Sequence, residues 1–181
     1  MPTFYSASGN PEVWDKQPEG YITVEEWESA RAAEEAVAEA IRLAEYNKPE
    51  NVRARKLAAI DAETSAAILA GFGYAVDGEI LHFSYDRDDQ QNFADSANAA
   101  LLTQTGGQGL PENVTWNAYR KHEDGARELV RLTLGPTEFL ALYIGGALAH
   151  KAAVMQEGGN RKDAVEVAIK NGAPVEEVEG I

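Results

Sequence analysis

Hydrophobic positions recur along this chain with two periods, and the switches between them mark its elements. Residues 1–22 set Phe4, Tyr5, Trp14 and Tyr21 among Gly, Asn and Pro. Short strands are expected around "TFYSA" and "EGYIT", with a turn at "SGNPE". "TVEE" then has the form of a capping box, with Thr23 as N-cap and Glu26 three residues on. In the helix it opens, which runs to about Tyr46, Ala30, Ala33, Val37, Ala40 and Ala44 recur at spacings of three and four. Such a seam of small side chains allows close helix–helix approach. Packing on the next helix is expected, and a coiled coil joining copies of the chain into a homo-oligomer is the alternative.

"YNKPEN" breaks this helix at Pro49, giving a boundary between residues 1–48 and 49–181. A second helix is expected over 51–70, with Leu57, Ile60, Ala67 and Ile68 facing one way, Gly71 as its C-cap and Asp61 as the one place where it can restart. Period two follows. Asp77-Gly78 lies between "GFGYAV" and "EILHFSY" and is a type I′ hairpin signal. Leu81, Phe83 and Tyr85 share one strand face; Ile80, His82 and Ser84 share the other. From about Asp88 the period returns to that of a helix, with Phe93, Ala97, Ala100 and Leu101 inward. "TGGQGLPEN" has the composition of a loop. A second hairpin joins "VTWNAYR" to "ARELVRLT" through "KHEDG". Pro136 and Glu138 open a helix that carries Leu140, Tyr143, Ala147, Leu148 and Val154 to about Met155. Gly145-Gly146 inside it requires another backbone packed close. "GGNRKD" is expected to end that helix, and "AVEVAIKNG" to form a short last one. The sum is an α+β protein: a small N-terminal β-unit with a long helix, then helices packed with short antiparallel hairpins.

"DGEILHFSYDRDDQQNF" is the stretch that most resembles a site. Asp86, Asp88, Gln90 and Asn92 alternate as the oxygen ligands of a calcium loop do. Yet position six is Gln91 in place of Gly, and position twelve is Ala97 in place of a bidentate Glu. The simpler reading makes Asp86, Asp88 or Asp89 the cap of the next helix. His82, His122 and His150 have no metal-ligand spacing, and His150 falls on the stripe Tyr143–Ala147–His150–Val154 as a packing residue. No nucleophile elbow, phosphate loop or dinucleotide fingerprint occurs. The expectation is therefore no catalytic residue, no metal and no cofactor. A metal-dependent hydrolase using Asp86, Asp88 and His82 is the remote alternative. Trp116 and the N-terminal aromatics serve either as binding surfaces or as anchors of small cores.

Composition narrows the partners. The 181 residues suffice for one ordinary domain with a smaller appendage, and 44% of them are hydrophobic. Net charge is −14, with 11 acids against 4 bases in residues 1–50. Such a surface repels phosphate backbones and anionic membranes, so neither nucleic acid nor a membrane is an expected partner. There is no cysteine, hence no disulfide and no thiolate zinc site. "MPTFYSASGNPEVWDK" lacks the basic and apolar regions of a signal peptide.

The order of pieces is similar to that of a known family. "KLAAI" leading to "GF", a hairpin ending in "FSYD", a helix near "QQN", the strand "TW", the "LT…F..L…H" helix and the closing "EEV" resemble, over residues 51–181, a phage and prophage domain of unknown function. Here "LGP" stands between "LT" and the helix that often follows it directly. The front end, "FYSASGNPEVWDKQPEGYITVEEWESA", resembles the start of phage tail-fibre assembly proteins. Together these resemblances imply a tail-associated protein with no catalytic residues to carry over. It would be an assembly factor of chaperone type that binds a tail-fibre or other tail protein in the bacterial host cytoplasm. The alternative is a structural tail or fibre-attachment component retained in the virion. Within either reading, Phe4, Tyr5, Trp14, Tyr21 and Trp27 are the candidate partner-binding residues.

Overall fold

The computed structural model describes residues 1–107 and 112–181, so residues 108–111 of the "TGGQGLPEN" loop lie outside the described residues. The chain divides into two compact units, 1–52 and 53–181, and their mixture of helices and small antiparallel sheets is the α+β class expected.

The first unit holds β1 (Thr3–Tyr5), β2 (Pro11–Val13), β3 (Ile22–Thr23) and α1 (Val24–Tyr46). Its sheet is antiparallel in the order β2-β1-β3, with Tyr5 opposite both Pro11 and Ile22. The sequence reading missed β2. Pro11 opens it, and an edge strand's first residue is a place where a missing N–H costs no ladder bond. Thr23 caps α1 as expected: its Oγ1 accepts the Glu26 N–H at 3.2 Å, and the Glu26 carboxylate accepts the Thr23 N–H at 2.9 Å. No residue of α1 is buried. On its seam Val37 and Ile41 are 60% and 65% exposed.

Helix α2 (Pro49–Leu69) is continuous, without a restart at Asp61. The second unit then builds one four-stranded antiparallel sheet from β4 (Phe72–Val76), β5 (Glu79–Phe83), β6 (Val114–Lys121) and β7 (Arg127–Leu134), in chain order. Asp77 and Gly78 have φ of +51° and +84°, as a type I′ turn requires, and Val76 pairs with Glu79 across it. Leu81, Phe83 and Tyr85 are buried, whereas Ile80 on the other face is exposed. Against the inward face lie α3 (Arg87–Gln104), α4 (Pro136–Leu142) and a π-helical segment, Tyr143–Leu148, that runs on into α5 (Ala149–Lys170). The core joins Phe72, Phe83, Tyr85, Phe93, Phe139, Leu142 and Ala147.

Several inward assignments change. Ala67 is exposed. Leu101 is 52% exposed because α3 meets the sheet along Phe93, Ala97 and Ala100, and Leu101 is about 100° further round. Leu148 is also exposed, since the wider π turn shifts the inward face to Phe139, Leu142, Gly146 and Ala147. Gly145 and Gly146 make room for aromatic rings, not for a backbone. A Cβ on Gly146 would lie 2.5 Å from Phe72 Cε2, and one on Gly145 3.4 Å from the Tyr74 ring.

"GGNRKD" does not end the helix. Helix α5 runs through it to Lys170, and only α6 (Val175–Glu179) is separate. Gly158 is buried, and a Cβ there would collide with the Thr64 side chain of α2. The glycine is thus a close-approach point between antiparallel helices. The same face carries Arg53 paired with Glu166, Asp61 with Lys162, and Glu63 with Arg161 at 2.6 Å.

Candidate functional site

Three places merit description as sites. The first is the N-terminal unit. Phe4 is buried. Tyr5 stacks on Trp27 at 4.1 Å and 8°, and the guanidinium of Arg31 sits over Trp27, 5.0 Å from the ring centre. Trp14 meets Tyr21 edge-on at 6.5 Å, donates from Nε1 to Glu12 at 3.2 Å, and stays 44% exposed. The aromatics therefore brace a small β-unit, and further along α1 an open apolar face is lined by Ala33, Glu34, Val37, Ala38 and Ile41. Helix α1 carries seven glutamates and two arginines along its length, and both arginines are paired, Arg31 with Glu35 and Arg42 with Glu39.

The second place is the acidic stretch 77–93. Asp86 is the N-cap of α3, accepting the Asp89 N–H at 2.8 Å, while the Asp89 carboxylate accepts the Asp86 N–H and the Ser84 hydroxyl. These bonds satisfy the helix's first donors and account for two of its carboxylates. Among the described residues, no three His, Asp or Glu side chains gather where a metal could sit. His82 is half-buried beside Gly71. Burial, then the nearby Arg127 and Lys121, push its imidazole below the ordinary histidine range. His150 lies between Phe72 and Tyr85 with Nε2 3.3 Å from the Ile68 carbonyl, a packing role. Trp116 stands 4.1 Å from Phe93 and 5.3 Å from Phe139, so it anchors the core.

The third place was not visible in the sequence as a site. Strands β5 and β6 pair at one register only, His82 with Tyr119. Beyond it β5 leaves the sheet at Ser84 to form the α3 cap, while β6 continues alongside β7. The gap is a cleft of about 600 Å³ lined by Ser84, Asp89 and Asn92 on one side and Thr115, Asn117 and Arg131 on the other. Asn117 and Arg131 are opposite each other in the β6–β7 ladder. The one signal available was the alternation of Thr115, Asn117 and Tyr119 against Val114, Trp116 and Ala118, which places three polar groups on a single face.

Several charges elsewhere in this unit are paired. Arg120 donates to Glu79 and to Glu128, the latter at 2.7 Å, across three strands. The hydrogen bonds from Arg120 hold both carboxyls below the usual carboxylate range. Arg161 and Arg53 do the same for Glu63 and Glu166. A carboxyl depressed in the folded state stabilises it above the unfolded pKa, about 4.3 for glutamate, and stops doing so as pH falls through the folded pKa. Thermal melts should therefore show a falling midpoint between about pH 5 and pH 3. Arg120→Gln should flatten part of that fall, and an unchanged slope would remove the triad from the account.

This sheet-and-helix unit defines the class of the protein. A family model described as "Domain of unknown function (DUF4376)" matches residues 51–179. The chain belongs to that family, which supplies no activity by its description. No curated protein and no solved structure matches it. Among the described residues no helix is long and apolar enough to cross a membrane.

Proposed function

We propose that the protein works by binding, as a phage or prophage tail-fibre assembly factor that carries its partner surface on the N-terminal unit. The observation that carries this reading is α1. A helix of 23 residues with no buried residue keeps Val37 and Ile41 open to water in one stripe. Helices in proteins owe most of their stability to a packed apolar face, so this face is built for an occupant. Trp14 and Tyr21, in the same unit, are offered as aromatic anchors, and Tyr5 stacks on Trp27 at the start of α1. The occupant is a fibre segment, whose exposed apolar surface would be covered until its own subunits assemble. A second copy of α1 is the weaker candidate, because seven glutamates would face seven more across the contact.

Val37→Asp with Ile41→Asp tests the reading. Both side chains are exposed, so the variant should keep its fold and melting temperature while losing co-purification with the tail-fibre protein of the same phage or prophage. If that variant still co-purifies and still renders the fibre soluble, the surface is elsewhere. The structural-component alternative is separated by mass spectrometry of purified virions, where an assembly factor is absent and a tail subunit is present.

A further inference from the structure

The cleft at the β5–β6 split gathers one guanidinium and several neutral polar side chains on facing walls. Several long polar side chains elsewhere are paired, as in the Arg120 triad and the α2–α5 ion pairs, while Arg87, Lys121 and Arg127 have no ion pair among the described residues. In the cleft, Asn92, Ser96, Thr115, Asn117 and Arg131 make no side-chain hydrogen bond or ion pair among the described residues. Arg131 has no ion pair among the described residues, in a chain of net charge −14. Its neighbours in the cleft are amides and hydroxyls, and one carboxylate, Asp89, is occupied with Ser84 and the α3 cap.

From this we infer a binding site for an acidic saccharide: a sugar unit whose single carboxylate pairs with Arg131 and whose hydroxyls bond Asn92, Ser96, Thr115 and Asn117. Volume fits, since about 600 Å³ falls within the range of small-molecule sites, roughly 300–1,000 Å³. Charge selects within that range. A phosphate dianion would meet one cation and one carboxylate, which is a poor balance. An apolar ligand would strand the amides without partners. A hydroxyl-rich monoanion satisfies both conditions, because amide and hydroxyl groups can each donate to and accept from sugar hydroxyls, and a guanidinium takes a carboxylate through two parallel bonds. Arg131 also borders a smaller cleft of about 370 Å³ against β4 and α4, but two carboxylates there, Asp77 and Glu138, would repel an acidic sugar.

The test is an amide-resolved NMR titration of the full chain with D-glucuronate, D-galacturonate and N-acetylneuraminate, with glucose and acetate as comparison arms. At least one acidic sugar should shift the amides of Asn92, Asn117 and Arg131, and should bind about tenfold more tightly than glucose or acetate. Arg131→Gln, at an exposed and unpaired position, should keep the fold and abolish that preference. Asn117→Ala should weaken the sugar without changing the acetate response. The inference is overturned if none of the three acids shifts these amides, if acetate alone matches them, or if Arg131→Gln keeps the preference. None of these outcomes depends on α1, so they leave the fibre-binding proposal to its own test.

Discussion

Phe93→Ala should destabilise the second unit by about 3–5 kcal/mol, the range for a fully buried phenylalanine. Phe93 is 0% exposed and is the hub of the aromatic core. Its ring lies 4.1 Å from Trp116, 5.7 Å from Tyr85, 5.8 Å from both Phe72 and Phe139, and 6.5 Å from Tyr143. Deleting it leaves a cavity bordered by rigid rings that cannot collapse inward, which places the cost toward the upper end. Leu101→Ala on the same helix should cost less than about 1 kcal/mol, because half of that side chain is already in water. Urea denaturation of both variants gives the comparison, and equal midpoints would contradict the inward stripe of α3.

Gly71→Ala is the second large effect. Gly71 ends α2 with φ of +83°, a conformation that costs a residue with a side chain about 1–3 kcal/mol. A Cβ there would also collide with the Phe83 carbonyl and sit 3.1 Å from the His82 ring. A carbonyl in a paired strand cannot step aside as a side chain can: Phe83 stands opposite Phe72 in the β4–β5 ladder. Strain and overlap add, so the variant should lose roughly 3 kcal/mol or more. Gly78→Ala isolates the first term, since Gly78 has φ of +84° with open space around it. The measured loss should be clearly greater at Gly71, and comparable losses at the two sites would mean that the carbonyl contact is not formed.

What the sequence revealed follows from how local each feature is. The type I′ turn at Asp77-Gly78, the Thr23 and Asp86 caps and the two hairpins are decided within four or five residues, and all are present. The continuation of α5 through Gly158-Gly159 is not local. Two glycines and an asparagine read as a stop, but Thr64, 94 positions away in sequence, requires the missing side chain. The same holds for Gly146, whose reason is the Phe72 ring. Strand β2 was lost because three residues beginning with proline carry too little pattern. The polar cleft depends on where β5 leaves β6, a point set by packing against α3, so its residues were scattered through the sequence without a shared motif. The open face of α1 was legible as a seam, whereas its lack of cover was not, because exposure is a property of the folded chain.

The claim on which the functional account turns is that α1 is the partner surface. Amide hydrogen exchange of the full chain, alone and with the tail-fibre protein of the same phage or prophage, tests it most directly. Alone, α1 should exchange quickly, since nothing packed holds it. With the partner, amides from Ala33 to Ala44 should slow markedly while those of β6 and β7 stay unchanged. Protection confined to the second unit, with α1 exchanging as before, would contradict the account.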